Sequence, residues 1–299
     1  MVMSPFMNKL SQLSDLKKTM TALPIIQKQA NVTPLVVGDD LALRTSLTSP
    51  VFYDREMVKL IHNHIEFLDE EDQGINFGKF SRETSNIDKL SLLWALFKAT
   101  YETLGKRNFT CENTNCDNNK NPFQNEVLLD DIIHDDTYTV WEEEEPFYKF
   151  RFQIDIPYEK LIYQFSAKLP SINDNNRILS TMSNEALQSN LDNMGSVYSR
   201  AQNMALLVDA IRIVGNKDNQ DFEPMETDKL QEILMALNSY IPYQVSEGFF
   251  KQYNKKFDKY LPKFYKVAKC PGCGKEVRND FDLEVEFFRR SLFGERESE

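Results

Sequence analysis

The chain has 299 residues, 41% of them hydrophobic, enough to build one large or two ordinary domains around a real core. Its formal net charge of −11 argues against a protein whose main task is gripping the phosphate backbone of nucleic acid, since that binding is driven by Lys and Arg. No run approaches the length of about 20 apolar residues that spans a bilayer, and the opening MVMSPFMNKLSQLSDLKK lacks the apolar stretch of a signal peptide, so a cytosolic protein with no membrane-spanning segment is expected.

An N-terminal docking helix is predicted over 1–24, with Phe6, Leu10, Leu13, Leu16 and Met20 at helical spacing before Pro24; it packs on a partner or on the rest of the chain. Thr33–Arg44 reads as an extended piece turning into a short helix capped by an aspartate. From Asp54 a helix presents Val58, Ile61, Ile65 and Leu68, and it stops in the acidic run Asp69–Gly74. Ser85 opens the clearest helix of the first half, with Asp88 three residues on as a capping box and a stripe of Ile87, Leu90, Leu93, Trp94, Phe97, Tyr101 and Leu104; Gly105 is read as its end.

Phe123–Leu129 is predicted as a strand. Glu142–Glu145 is read as a solvated linker. Tyr148, Phe150, Phe152, Ile154 and Ile156 alternate with polar residues, and so do Leu161, Tyr163, Phe165, Ala167 and Leu169, so the two runs form a hairpin. A helix follows from Ser199 with Met204, Val208 and Ile211 on one side, then one over Asp228–Leu237, then one through Phe249, Phe250, Tyr253, Phe257 and Tyr260. Lysines 251, 255, 256 and 259 read as the wet face of that last helix. Phe281, Leu283, Val285 and Phe287 alternate with acids as a final strand.

Four cysteines stand in two unequal knuckles, Cys111-x4-Cys116 and Cys270-Pro271-Gly272-Cys273-Gly274, each placed after a helix and before an apolar-acidic strand. Four thiolates suit one shared structural zinc, and the chain has no other cysteine to compete. In a reducing compartment, paired cysteines are more often metal ligands or redox groups than disulfides. Matching element order around the knuckles suggests duplication, with one half over 25–140 and a hairpin plus second half over 141–299; chance similarity among amphipathic helices is the alternative. The expected fold class is therefore α+β, mostly helical, two duplicated halves joined by a β-hairpin and stapled by a zinc-ribbon-like site.

The Pro34-Leu35-x-x-Gly38-Asp39 stretch, the Leu90-x-x-Leu93-Trp94-Ala95-Leu96 helix before Phe109-Thr110-Cys111, and Lys266–Gly274 running into Asp282–Phe288 resemble the baseplate hub assembly proteins of T-even-like contractile-tailed bacteriophages. The resemblance covers most of the chain after about residue 25; the four-residue gap of the first knuckle departs from the two-residue gap of the family. It implies a non-enzymatic morphogenesis factor or minor hub component, made in the host cytoplasm, with the virion baseplate as the second location open to it. It further implies hub or tape-measure proteins as partners, and Cys111, Cys116, Cys270 and Cys273 as structural metal ligands. A zinc-ribbon module that binds a transcription or replication complex is the alternative function.

No catalytic constellation stands out. His62 and His64 are two apart on a predicted helix, so their side chains diverge by about 200° and do not converge on one metal; they read as surface residues, and His134 as part of an acidic loop. No phosphate loop, nucleotide-binding glycine pattern or serine nucleophile elbow occurs. Cys270-x-x-Cys273 also fits a redox dithiol, but that motif opens a helix, and a glycine and a strand are expected here.

Overall fold

In the computed structural model, residues 18–47, 50–134, 149–156, 161–180, 200–214, 223–224 and 230–286 are described. The predicted opening helix through Leu16 and the Glu142–Glu145 linker lie outside them. Met20, placed on the helical stripe by its spacing, instead sits exposed on β1 (Thr19–Leu23). That strand pairs antiparallel with β2 (Lys28–Val32), which pairs in turn with β3 (Ile65–Phe67). α1 (Val37–Ser46) follows the extended piece as expected, but Val36 rather than an aspartate is its N-cap; Asp39, in the first turn, reaches back and accepts the Val36 N–H at 2.7 Å. α2 (Pro50–His64) ends one residue before Ile65, which joins β3 rather than the helix.

After α3 (Phe77–Glu83), the helix α4 (Asn86–Thr100) forms the centre of the first core. Leu92, Leu93, Trp94, Ala95, Leu96 and Phe97 are consecutive and all buried, as expected of a helix enclosed on every side. Ser85 caps it as predicted: its Oγ accepts the Asp88 N–H at 2.9 Å and donates to the Asp88 carboxylate at 2.8 Å. The helix stops at Thr100, earlier than the apolar stripe suggests. Leu104 belongs to β4 (Thr103–Phe109), and Gly105, at φ 76°, serves a bulge in that strand instead of ending the helix.

β4 pairs antiparallel with β5 (Phe123–Leu128), the predicted strand. The chain then passes through β6 (Ile133–His134) to the expected hairpin of β7 (Lys149–Ile156) and β8 (Leu161–Lys168). α5 (Ile172–Ser180) starts beside α4: an antiparallel bridge joins Ser85 and Ser171, with Asn86 N–H donating to the Pro170 carbonyl and Ile172 N–H to that of Thr84. α6 (Arg200–Leu207) is shorter than predicted, because Val208 and Ile211 lie on β9 (Val208–Val214), which extends the hairpin sheet beside β8. β10 (Glu223–Pro224) completes the sheet order β10-β9-β8-β7.

α7 (Leu230–Tyr240) and α8 (Tyr243–Phe257) follow. α8 lays Phe249, Tyr253 and Phe257 against the sheet, with the Phe249 ring 5.1 Å from that of Phe165 and 5.4 Å from that of Phe152. Lys251 and Lys255 are exposed on its opposite face, the wet face expected. A second strand pair follows, β11 (Phe264–Lys269) and β12 (Glu276–Asp280), with β6 alongside β11. The predicted strand at 281–287 is a helical turn at 283–286, because the Asp282 carboxylate caps it by accepting the N–H groups of Glu284 and Val285.

Helix and small antiparallel sheets thus share the architecture. Two apolar clusters result. One joins the first-half helices to Phe264, Ala268 and Val277 of the last strand pair and to Phe281 and Leu283 just after it; the other gathers β8, α6 and α8 with Ile25 and Ile87. The returning segment that carries the second knuckle is therefore seated in the same core as the first knuckle.

Candidate metal centre

Each knuckle is the tip of a strand pair. Cys111 and Cys116 lie between β4 and β5, and Cys270 and Cys273 between β11 and β12, so a strand separates each knuckle from the helix before it. The tips are shaped by backbone hydrogen bonds. Cys111 N–H donates to the Asn118 carbonyl at 3.0 Å and Cys116 N–H to that of Asn113 at 2.9 Å. In the second knuckle, Cys270 N–H donates to the Lys275 carbonyl at 2.8 Å and Gly274 N–H to that of Cys270 at 2.8 Å. Gly274, at φ 74°, takes the left-handed conformation that closes this turn with no steric cost.

The four sulfurs meet at one place. All lie within 4.8 Å of one another, with Cys111 Sγ 3.5 Å from Cys273 Sγ and Cys116 Sγ 3.7 Å from Cys270 Sγ. A tetrahedral four-thiolate site with metal–sulfur bonds of about 2.3 Å has sulfur–sulfur edges of about 3.8 Å, so the spacing fits a single metal ion bound by both knuckles. Cys111, Cys116 and Cys270 are buried and Cys273 faces solvent at the edge. The long gap of the first knuckle does not prevent convergence.

The thiols differ in acidity. The Asn118 amide bound to its sulfur, 3.2 Å away, brings Cys270 down to about 6. The Lys275 backbone N–H lowers Cys273. Cys116 is helped by the Asn118 backbone N–H, yet burial and the neighbouring thiols outweigh it and push this group up to about 12. Cys111 has the same balance between the Asn113 backbone N–H and burial beside Cys273, and it too is raised. A cation at the centre favours all four thiolates together, which is the usual coupling of metal binding to proton release.

Sequence reasoning named the four cysteines and missed Asn113 and Asn118, which stand two residues after Cys111 and Cys116; that repeated Cys-x-Asn spacing was the available signal. Cys270 and Cys273 sit in a turn between strands, not at the head of a helix. The histidines do not join the site. They diverge as expected, but as half-buried, partnered groups rather than free surface residues: His62 Nε2 meets the Ile75 carbonyl at 2.7 Å, while His64 bridges Asp39 at 3.0 Å and Thr33 at 3.1 Å. His134 lies on β6, paired with Phe264, not in a loop.

Among the described residues no helix is long and apolar enough to cross a membrane. No family model matches the chain, and no curated protein or solved structure matches it.

Proposed function

We propose that this protein is a non-enzymatic morphogenesis factor or minor structural component of a phage baseplate hub, that it acts by protein–protein binding, and that its four cysteines hold one structural zinc. The observation that carries the reading is the convergence of two sequence-distant knuckles on one closed four-sulfur point, which leaves no open position for a substrate. Zinc is the choice because a tetrahedral all-thiolate set suits it. The sequence resemblance to hub assembly proteins supplies the biological setting, with hub or tape-measure proteins as partners in the host cytoplasm. Duplicated halves belong to the same reading, supported by the strand–knuckle–strand unit that recurs at the two cysteine pairs.

A zinc-ribbon module serving a transcription or replication complex is the second reading, favoured by the same paired strand–knuckle–strand geometry. Affinity purification of the tagged full chain from infected cells separates the two. Tail-hub or tape-measure proteins in the eluate, and incomplete tails when the gene is removed, support the hub role. Polymerase subunits in the eluate, with normal infectious tails from the deletion, overturn it.

A further inference from the structure

Four thiolates around a divalent cation leave a net charge of −2, in a chain that already carries −11, so the hydrogen-bond donors around the sulfurs matter to how firmly the ion is held. Backbone N–H groups of its own knuckle favour each thiolate: Asn113 for Cys111, Asn118 for Cys116, Cys273 and Gly272 for Cys270, and Lys275 for Cys273. Those bonds lie within each knuckle. They do not hold one knuckle to the other.

Two side chains do face the opposing knuckle. Asn118 Nδ2 donates across to Cys270 Sγ at 3.2 Å, and the Asn113 side chain favours the thiolate of Cys273. Asn118 also accepts the Cys111 N–H on its own carbonyl at 3.0 Å, so this single residue touches Cys111, Cys116 and Cys270. The opposing knuckle is shaped to admit it: a Cβ at Gly272 would stand 3.0 Å from both Asn118 Nδ2 and Cys116 Sγ. An asparagine in a turn ordinarily serves the backbone, and Asn119 does so, donating from Nδ2 to the Cys111 carbonyl at 2.6 Å. Asn118 differs in aiming its amide at a sulfur of the other knuckle.

We infer that Asn118, with Asn113 beside it, is a positioning residue that couples the two knuckles into one metal site by fixing the sulfur of the opposing knuckle. The inference rests on reading the four cysteines as a metal site. The wide spacing of the first knuckle follows from this role, since its two asparagines reach across where the tighter second knuckle offers only backbone donors and a glycine.

The test uses the full chain loaded with Zn²⁺ or Co²⁺, in wild type, Asn118→Ala, Asn118→Asp, Asn113→Ala and Asn119→Ala. Chelator competition gives the affinity, and the thiolate-to-cobalt charge-transfer band reports on the sulfurs. Asn118→Ala is expected to weaken zinc about 10- to 100-fold and to shift the band. Asn118→Asp, which turns a carboxylate toward a thiolate, is expected to weaken it further, and Asn113→Ala to act in the same sense. Asn119→Ala is expected to leave the band in place even where it lowers thermal stability. Affinity within twofold of wild type in Asn118→Ala, or identical effects of Asn118→Ala and Asn119→Ala, overturns the positioning role. If Asn118→Ala does not fold, a wild-type band and affinity in Asn113→Ala overturn it. A wild type that binds neither ion removes the metal site itself, whereas a metal-binding wild type with an indifferent Asn118 removes only this inference.

Discussion

Replacing Lys89 by methionine should destabilise the protein by about 3 kcal/mol, at the low end of the range for breaking a buried ion pair from one side. Lys89 directly follows the Ser85–Asp88 helix start, as the fourth residue of α4, and is only 3% exposed. Its Nζ stands 3.2 Å from Asp54 on α2 and 2.7 Å from Glu284 in the turn that follows the second knuckle's strands. Glu284 is nearly half exposed, so its share is discounted to about 0–1 kcal/mol. Asp54 is not: without Lys89 its carboxylate keeps the Asn175 amide at 3.4 Å and loses its near cation. Burial works against the charge on Lys89, but Asp54 and Glu284 outweigh it and raise its pKa above the ordinary 10.5. The stabilisation is therefore complete below pH 10.5, is lost progressively as pH rises from there through the raised folded value, and is constant around neutrality. Urea unfolding at pH 7 measures the change, and a melting scan should show a fall of about 6–12 °C. The double variant Lys89→Met with Asp54→Leu should recover much of the loss, because an apolar pair leaves no stranded charge. A single variant within about 1 kcal/mol of wild type, or a double variant no better than the single, would mean that Asp54 is not left as a stranded buried charge.

Asp88 is buried at the start of α4, and removal from water lifts its carboxyl to about 6 despite the N–H of Ile25 at 2.9 Å and the Ser85 contacts. Between pH 3.8 and about 6 the folded chain holds this proton more tightly than the unfolded one, so the residue's contribution falls as pH rises through that window. Asp88→Asn should gain about 3 kcal/mol on wild type between pH 4 and pH 7 in paired denaturant titrations; parallel profiles contradict the assignment. Gly105→Ala places a side chain at φ 76° and should cost about 1–2 kcal/mol by thermal melting, with an unchanged melt arguing against the bulge. Gly272→Ala should lower retained metal after dialysis, since its Cβ would crowd Cys116 Sγ and Asn118; full retention would show that the knuckles have room to spare.

The elements legible in the sequence are those where one period stands alone. β7 and β8 alternate strictly and belong to no helical stripe, and α4 announces itself through the Ser85–Asp88 cap. Where two periods coincide, pairing decides. Met204, Val208 and Ile211 fit a helix face, yet Val208–Val214 also alternates and is rich in β-branched residues, and the free edge of β8 recruits it as a strand. Around 281–287 the alternation of acids and apolar residues hides a cap, since Asp282 reads as one more acid until its carboxylate is seen on two backbone N–H groups. The four cysteines were legible because the chain holds no other thiol to compete with them. The asparagines beside them were not, because asparagine in a knuckle reads first as a turn former.

The metal proposed here is held by both knuckles at once. Elemental analysis of the full chain, purified without chelator, tests it directly when wild type is compared with Cys111→Ser and Cys273→Ser, which remove one sulfur from each knuckle. One zinc per wild-type chain, lost from both variants alike, is the expected result. Two metals per chain, none, or loss from Cys273→Ser alone with Cys111→Ser still fully loaded would contradict it.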